Sequence, residues 1–98
     1  MHFVVSWDIP VTTVNREGLE SQLIGCFNSY QYVKPLTTFY IVKVSSQTEY
    51  SNILTNLQTI GKSIPGGFRL VISPVMTGGR YDGLHDNETW QTINHISG

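Results

Sequence analysis

The sequence FVVSWDIP, residues 3–10, is an apolar run that ends in an acid and a proline. In an extended strand, successive side chains point to opposite faces, and here both faces are apolar. Phe3, Val5 and Trp7 share one face, and Val4 lies on the other. A strand that is apolar on both faces is usually central in its sheet. Pro10 cannot donate to a ladder and ends the strand, which leaves Asp8 at its carboxyl end.

Strands and helices alternate along the rest of the chain. Two segments repeat apolar residues at helical spacing, and the second begins with the capping box Ser46-Gln47-Thr48-Glu49. Apolar runs between turn residues indicate strands. The predicted elements after the first strand are a helix over 15–29, strands over 30–36 and 38–44, a helix ending at Gly61, a turn at 65–67, a strand over 68–75, a short strand or loop at 80–84 and a final helix capped by Asp86.

This order of elements predicts an α+β fold. Strand, helix, strand, strand, helix, strand is the ferredoxin-like βαββαβ pattern, with two helices on one face of the sheet and, here, a short C-terminal strand or helix. Residues 1–98 are expected to form a single domain, since a chain of this length has no room for a second. The first and third strands are then central, and Pro35 places the second strand at an edge.

Two helices on one sheet face leave the other face open. Val4, Tyr40, Val42 and Val71 are predicted on that open face, and they are mostly apolar. An apolar face of this kind needs a cover. We expect a second copy of the chain to provide it, which predicts a homodimer through the open sheet face. The C-terminal helix is the alternative cover.

Charge and cysteine content narrow the classes of partner. The formal net charge is −1, and the six basic residues are scattered along the chain. Tight binding to a phosphate backbone needs clustered cations, so one copy is a poor nucleic-acid binder, although a dimer could combine cations from two chains. A single cysteine, Cys26, excludes an internal disulfide. With no signal-like or membrane-length apolar segment, the chain is expected to be cytoplasmic, without a membrane partner.

Asp8 is the acid best placed to belong to a functional site. It could bind a metal ion or line a phosphate site, or it could cap the turn at Pro10 or the start of the first helix, as aspartate commonly does. A metal site normally needs at least two oxygen ligands, so a second copy would have to supply another Asp8. Asp82, His85 and Asp86 form a second group, which could bind a cation or simply be solvated.

Basic and aromatic residues give candidate nucleic-acid contacts. Arg69 and Arg80 could each contact a phosphate, and Tyr81 beside Arg80 could stack on a base. The alternative is a surface arginine that covers an apolar neighbour.

The remaining reactive and aromatic side chains are weaker candidates. Ser6 and Ser73 are expected on the face that carries Asp8, as polar members of a dimer interface, since no histidine is placed to activate either hydroxyl. Cys26, Trp7 and Trp90 are predicted to be packing residues, and His2 and His95 are minor candidates as ligands or acid–base groups.

Three stretches carry a resemblance to known proteins: FVVSWDI, TFYIVKV and FRLVISPVMTGGRYDGL. With the short tail helix they resemble the SinR-like small bacterial proteins, which are similar in turn to the ferredoxin-like CRISPR-associated adaptation nuclease family, Cas two, and to virulence-associated protein D toxins. The chemically specific motif is an aromatic residue, an aspartate and an aliphatic residue, here Trp7-Asp8-Ile9. The resemblance implies a homodimer in which Asp8 and its copy hold Mg²⁺ for phosphodiester cleavage. Basic residues follow the aspartate in the CRISPR family, whereas this chain has a single Arg16.

Three classes of function follow from these observations. The first is a small cytoplasmic homodimeric binding or regulatory module of the accessory, antitoxin or immunity type, without catalysis or a cofactor and with another protein as a candidate partner. The alternative is a Mg-dependent endonuclease of the CRISPR-adaptation or toxin type that uses Asp8 paired across the dimer. The third is a small-molecule-binding regulatory domain, for which the sequence has no ligand-specific motif. Low charge and the lack of a complete catalytic set favour the first.

Overall fold

A computed structural model describes residues 1–64, 68–79 and 81–98. Over these residues the chain forms one four-stranded antiparallel sheet and three helices. The elements in chain order are β1 (His2–Asp8), α1 (Arg16–Gly25), β2 (Tyr32–Leu36), β3 (Phe39–Lys43), α2 (Gln47–Lys62), β4 (Arg69–Ile72) and α3 (Asn87–Ser97). The predicted turn at 65–67 and the candidate Arg80 lie outside the described residues.

The strand order of the sheet is β2-β3-β1-β4, so β1 lies between β3 and β4. The central positions of β1 and β3 confirm what their apolar patterns predict. β2 is an edge strand, as Pro35 predicts, and its pairing with β3 becomes irregular between Val33 and Leu36. The missing N–H of a proline is tolerated at such an edge. The antiparallel sheet with packed helices confirms the α+β class.

One face of the sheet, here called the inner face, packs against α1 and α2. Phe3, Val5 and Trp7 of β1 are buried there, as the alternation in β1 predicts. The Trp7 ring stacks on the ring of Tyr40, with 4.6 Å between the ring centroids. The helical side of this inner core includes Leu23, Phe27, Tyr50, Ile53 and Leu57.

Tyr40 and Val42 belong to this inner core, so the prediction that they lie on the open face is wrong. Their position follows from the register between β1 and β3, which pairs Val5 with Tyr40 and Phe3 with Val42. Directly paired side chains point to the same face of a sheet. The Tyr40 hydroxyl donates to Glu20 Oε1 of α1 at 3.3 Å, and burial, followed by the charge of Glu20, raises the pKa of Tyr40.

α3 covers part of the opposite face, here called the outer face. Ile93 and Ile96 of α3 are buried against Ile41 of β3. The helix begins where the carboxylate of Asp86 accepts the N–H of Thr89 at 2.7 Å, as the sequence predicts, and this hydrogen bond lowers the pKa of Asp86. The partly buried neighbours of this outer core are Val4, Val33, Phe39, Tyr81 and Trp90. Of the two expected covers, the C-terminal helix is therefore present within the chain itself.

Several elements are shorter than predicted, each for a local reason. α1 ends at Gly25 because the N–H groups of Cys26 and Phe27 bind carbonyls three residues back, which tightens the chain into a turn. β4 ends at Ile72, and beyond it the Ser73 hydroxyl accepts the N–H of Val4 at 2.8 Å in place of a backbone carbonyl. The described residues 81–84 form a loop and not a strand.

The capping box at the start of α2 is confirmed. The N–H of Glu49 donates to Ser46 Oγ at 3.2 Å. In return, Glu49 Oε1 accepts the N–H of Ser45 at 2.6 Å, one residue before the position that the usual motif uses.

The outer core predicts that α3 is an integral part of the cooperative fold. We expect Ile93→Ala to lower the free energy of unfolding by about 2–5 kcal/mol, because it removes buried methyl groups beside Ile41 and leaves a cavity. Gln91→Ala, at an exposed position of the same helix, is the control and should change it by less than about 0.5 kcal/mol. Urea unfolding followed by circular dichroism measures both variants. Equally small effects would contradict the docked position of α3.

Candidate functional site

α3 leaves the half of the outer face formed by β1 and β4 largely uncovered. A single line of directly paired residues crosses all four strands of the outer face: Leu36 of β2 pairs with Phe39 of β3, Phe39 with Ser6 of β1, and Ser6 with Val71 of β4. We call these four residues the cross-strand row. Val71 is 75% exposed and Leu36 is 61% exposed. The two ends of the row are therefore apolar side chains in contact with solvent, whereas Phe39 packs against the outer core and Ser6 is half-buried.

Asp8 and Arg69 lie next to this row, at the end of β1 and the start of β4. The sheet register pairs them directly, and both residues are exposed. Within the described ranges, no ion pair joins the two side chains and no hydrogen bond reaches the Asp8 carboxylate. A shallow cavity of about 210 Å³ lies against them and against Ser6 and Val71. Two opposite charges are thus presented side by side at the edge of an apolar surface.

The capping interpretation of Asp8 is wrong, because its carboxylate accepts no hydrogen bond from the described residues at either candidate position. At the turn, the N–H of Thr13 donates to the carbonyl oxygen of Pro10 at 2.9 Å. The residue before α1 is Asn15, in the left-handed conformation at a φ of 58°, and no side chain caps this helix. The Asp8 carboxylate therefore stabilises neither the turn at Pro10 nor the start of α1.

The loop before α3 uses its polar side chains to position the helix. His85 Nε2 donates to the carbonyl oxygen of Pro35 at 2.6 Å, and His85 Nδ1 accepts the N–H of Asp86 at 3.0 Å. Asp86 in turn caps α3. Over the described part of the chain, no group of three His, Cys, Asp or Glu side chains is placed to hold a metal ion. The prediction that Asp82, His85 and Asp86 bind a cation therefore gains no support.

A cleft of about 220 Å³ lies where this loop, α3 and the β2–β3 hairpin meet. Leu36 and Phe39 of the cross-strand row form part of its wall, so the cleft and the row are continuous. The other apolar lining residues that matter here are Ile41, Ile93, Trp90 and Leu84. Leu84 is 98% exposed and lies at the edge of the cleft.

His2 is a buried histidine whose environment the sequence does not reveal. It is 1% exposed, and its Nε2 lies 2.7 Å from the Tyr81 hydroxyl. Its Nδ1 is buried and has no hydrogen-bond partner among the described residues. Burial, and secondarily the positive N-terminal amine, lower the pKa of His2 below its ordinary value of 6.5. Strand alternation puts His2 on the face of Val4, but its burial depends on a segment far along the chain.

Arg69 and Tyr81, the two predicted nucleic-acid contacts among the described residues, lie far apart along β1. The Tyr81 hydroxyl contacts His2 at the start of β1, whereas Arg69 pairs with Asp8 at the other end of that strand. Burial raises the pKa of Tyr81. Arg69 and Tyr81 as contacts to nucleic acid stay a prediction.

Trp7, Trp90, Cys26 and Ser73 all have contacts within the fold. Trp7 lies in the inner core and Trp90 packs against the outer core, which confirms both assignments. The Ser73 hydroxyl accepts the N–H of Val4 and donates to the carbonyl oxygen of the next residue at 2.9 Å. Cys26 packs against the inner core, and burial raises the pKa of its thiol, which disfavours the reactive thiolate.

Comparisons with known proteins leave the family of this chain open. No family model matches the sequence, and neither the curated proteins nor the solved structures contain a significant match. The resemblance to SinR-like proteins, the CRISPR adaptation nuclease family and virulence-associated protein D toxins therefore stays a prediction. None of the helices in the described ranges combines the length and apolar character needed to cross a bilayer.

The environment of His2 predicts a pH-dependent stability. Because its pKa in the folded chain lies below 6.5, the unfolded chain takes up a proton first as the pH falls. The contribution of neutral His2 to the free energy of unfolding is complete above the pKa of His2 in the unfolded chain, and it is lost as the pH falls through the pKa of His2 in the folded chain. We therefore expect the free energy of unfolding of the wild type to decrease between about pH 7 and about pH 5, and His2→Gln to reduce this decrease.

His95→Gln is the matched control, because His95 is an exposed histidine on α3. Urea unfolding at a series of pH values measures the three proteins. A His2→Gln variant with the full wild-type pH dependence would exclude His2 as the responsible group.

Proposed function

We propose that this chain is a non-catalytic binding module that works as a homodimer, and that the two copies meet through the uncovered part of the outer sheet face. The observation that carries the proposal is the cross-strand row with its exposed Val71 and Leu36. Exposed apolar side chains on an open sheet face favour an interaction surface. A second copy removes the patch from water on both chains at once.

The charges beside the row support a second copy as the occupant. In a contact with twofold symmetry, residue i of one copy meets residue j of the other, and residue j of the first meets residue i of the second. Asp8 and Arg69 are adjacent, opposite in charge and without an ion pair among the described residues. A twofold axis between the two sheets can therefore place each aspartate opposite the arginine of the other copy.

The contacts of the reactive side chains support a role without catalysis. The Ser73 hydroxyl is engaged on both sides by backbone groups, and the Cys26 thiol has a raised pKa. Serine and cysteine nucleophiles require an adjacent base or a lowered pKa.

The proposal includes a ferredoxin-like fold for each subunit. The antiparallel order β2-β3-β1-β4, with β1 and β3 at the centre, supports this assignment. α1 and α2 on the inner face supply the two helices of the βαββαβ pattern. α3 is then an addition that narrows the open face.

A Mg-dependent endonuclease with Asp8 paired across the dimer is the second candidate. The exposed Asp8 carboxylate, with no hydrogen-bond partner among the described residues, favours it. The two candidates differ in what faces Asp8. The binding module places Arg69 of the second copy opposite it, whereas the nuclease places the second Asp8 there with a metal ion between the two carboxylates.

Sedimentation equilibrium tests the dimer. We expect the wild type to self-associate and Val71→Asp to be monomeric, because the variant introduces a charge into the apolar row. Val14→Asp is the matched control, since Val14 is 89% exposed and lies before α1, the helix packed on the opposite sheet face. A wild type that stays monomeric at every concentration would refute the proposal.

Charge exchange tests what faces Asp8. We expect Asp8→Arg to weaken the dimer by about tenfold, and the double variant Asp8→Arg with Arg69→Asp to restore it, because opposite charges again meet across the interface. If the double variant does not restore the dimer and Asp8→Asn strengthens the dimer without metal, then the two Asp8 carboxylates face each other instead.

Metal titration separates the nuclease from the binding module. We expect Mg²⁺ and Mn²⁺ to leave the melting temperature of the wild type unchanged, with no cleavage of RNA or DNA. Asp8→Asn should alter the free energy of unfolding by less than about 0.5 kcal/mol, because the carboxylate makes no hydrogen bond in the fold. A rise in melting temperature with metal in the wild-type dimer, absent in Asp8→Asn, would favour the nuclease.

A further inference from the structure

Leu84 is the most exposed large apolar side chain among the described residues, at 98%. It lies in the loop between β4 and α3, next to Gly83, whose backbone approaches the Trp90 ring: a Cβ on that glycine would lie 3.7 Å from the ring. The loop is held at its far end by the hydrogen bond from His85 to Pro35 and by the Asp86 cap. Leu84 is thus presented to solvent by a loop that is anchored next to it.

The cleft beside Leu84 has room for an apolar side chain. Its volume is about 220 Å³, and an apolar cavity of about 150 Å³ suffices for a benzene-sized group. Buried Ile41 and Ile93 form part of its lining together with the ring of Trp90.

Two of the polar side chains that line the cleft are engaged within the chain. His85 Nε2 donates to the carbonyl oxygen of Pro35, and the Tyr81 hydroxyl contacts His2. Small-molecule sites usually contain a few polar groups that fix the orientation of the ligand. A cleft whose histidine and tyrosine are committed to intramolecular bonds suits an aliphatic group better than a polar molecule.

We propose that Leu84 of each copy inserts into the cleft of the other copy. This inference rests on the homodimer proposed above and names the contact that anchors it. A twofold interface must be self-complementary, with the projecting group and its receptor on the same patch. Leu84 and the cleft meet that condition, and the cleft shares Leu36 and Phe39 with the cross-strand row. The insertion therefore extends one continuous interface.

Leu84→Ser tests the insertion. The variant removes a buried leucine side chain from the dimer at two symmetric places, each of which should cost about tenfold in affinity, so the dissociation constant should rise about 100-fold. The monomer should melt at the wild-type temperature, because Leu84 makes no buried contact within one copy. Val14→Ser, at an exposed apolar residue before α1, is the control and should leave the dissociation constant unchanged.

Sedimentation equilibrium at several concentrations measures the affinities, and tryptophan emission gives a second readout. Insertion beside Trp90 should shift the emission of the wild type to shorter wavelength as the dimer forms. The same shift should be absent from Leu84→Ser at equal dimer fraction.

The outcomes separate this inference from the proposed homodimer. A wild-type dimer that Val71→Asp disrupts and Leu84→Ser leaves unchanged would overturn the insertion and keep the homodimer. A wild type that is monomeric throughout would overturn both. A dimer weakened by Leu84→Ser and unaffected by Val14→Ser is the result that we expect.

Discussion

The pairing of β1 with a neighbour on each side is the constraint on which the rest of the structure depends. β3 and β4 both form ladders with this strand, so their registers are fixed relative to it and to each other. Once Val5 is opposite Tyr40, the alternation of β3 decides which of its side chains enter the inner core. A shift of one residue would turn Tyr40 and Val42 out towards α3 and break both cores.

The outer face of the sheet is where a binding surface can form. α3 packs on the β2–β3 half of the outer face and buries Ile41 there. His2 and Val4 at the start of β1 are also covered, but the Ser6–Asp8 end of β1 and the facing residues of β4 are not, and Val71 stays open to solvent. A short helix over a four-stranded sheet thus divides the outer face into a core and an exposed patch. Asp8 and Arg69 are candidate interface residues because they border this patch.

Local pattern was sufficient to predict much of the fold. Alternation identified β1, the capping box identified α2, and Pro35 placed β2 at the edge, since each signal acts within a few residues. The face of Tyr40 was predicted wrongly because it depends on register with a distant strand. The burial of His2 and the exposure of Leu84 depend on how the 81–86 loop and α3 dock, which no local pattern encodes. Asp8 was identified as a candidate, but only the structure shows its neighbour Arg69 and its lack of a capping bond.

The most direct test of the homodimer is an isotope-filtered NOE spectrum of a mixed sample in which half of the chains are labelled with ¹³C and half are unlabelled. This experiment detects only contacts between copies, so contacts within one chain do not interfere. We expect intermolecular signals from the methyl groups of Val71 and Leu84 and none from those of Val14. A concentrated sample without intermolecular signals at Val71, or with signals confined to another surface, would contradict an interface on the uncovered half of the outer face.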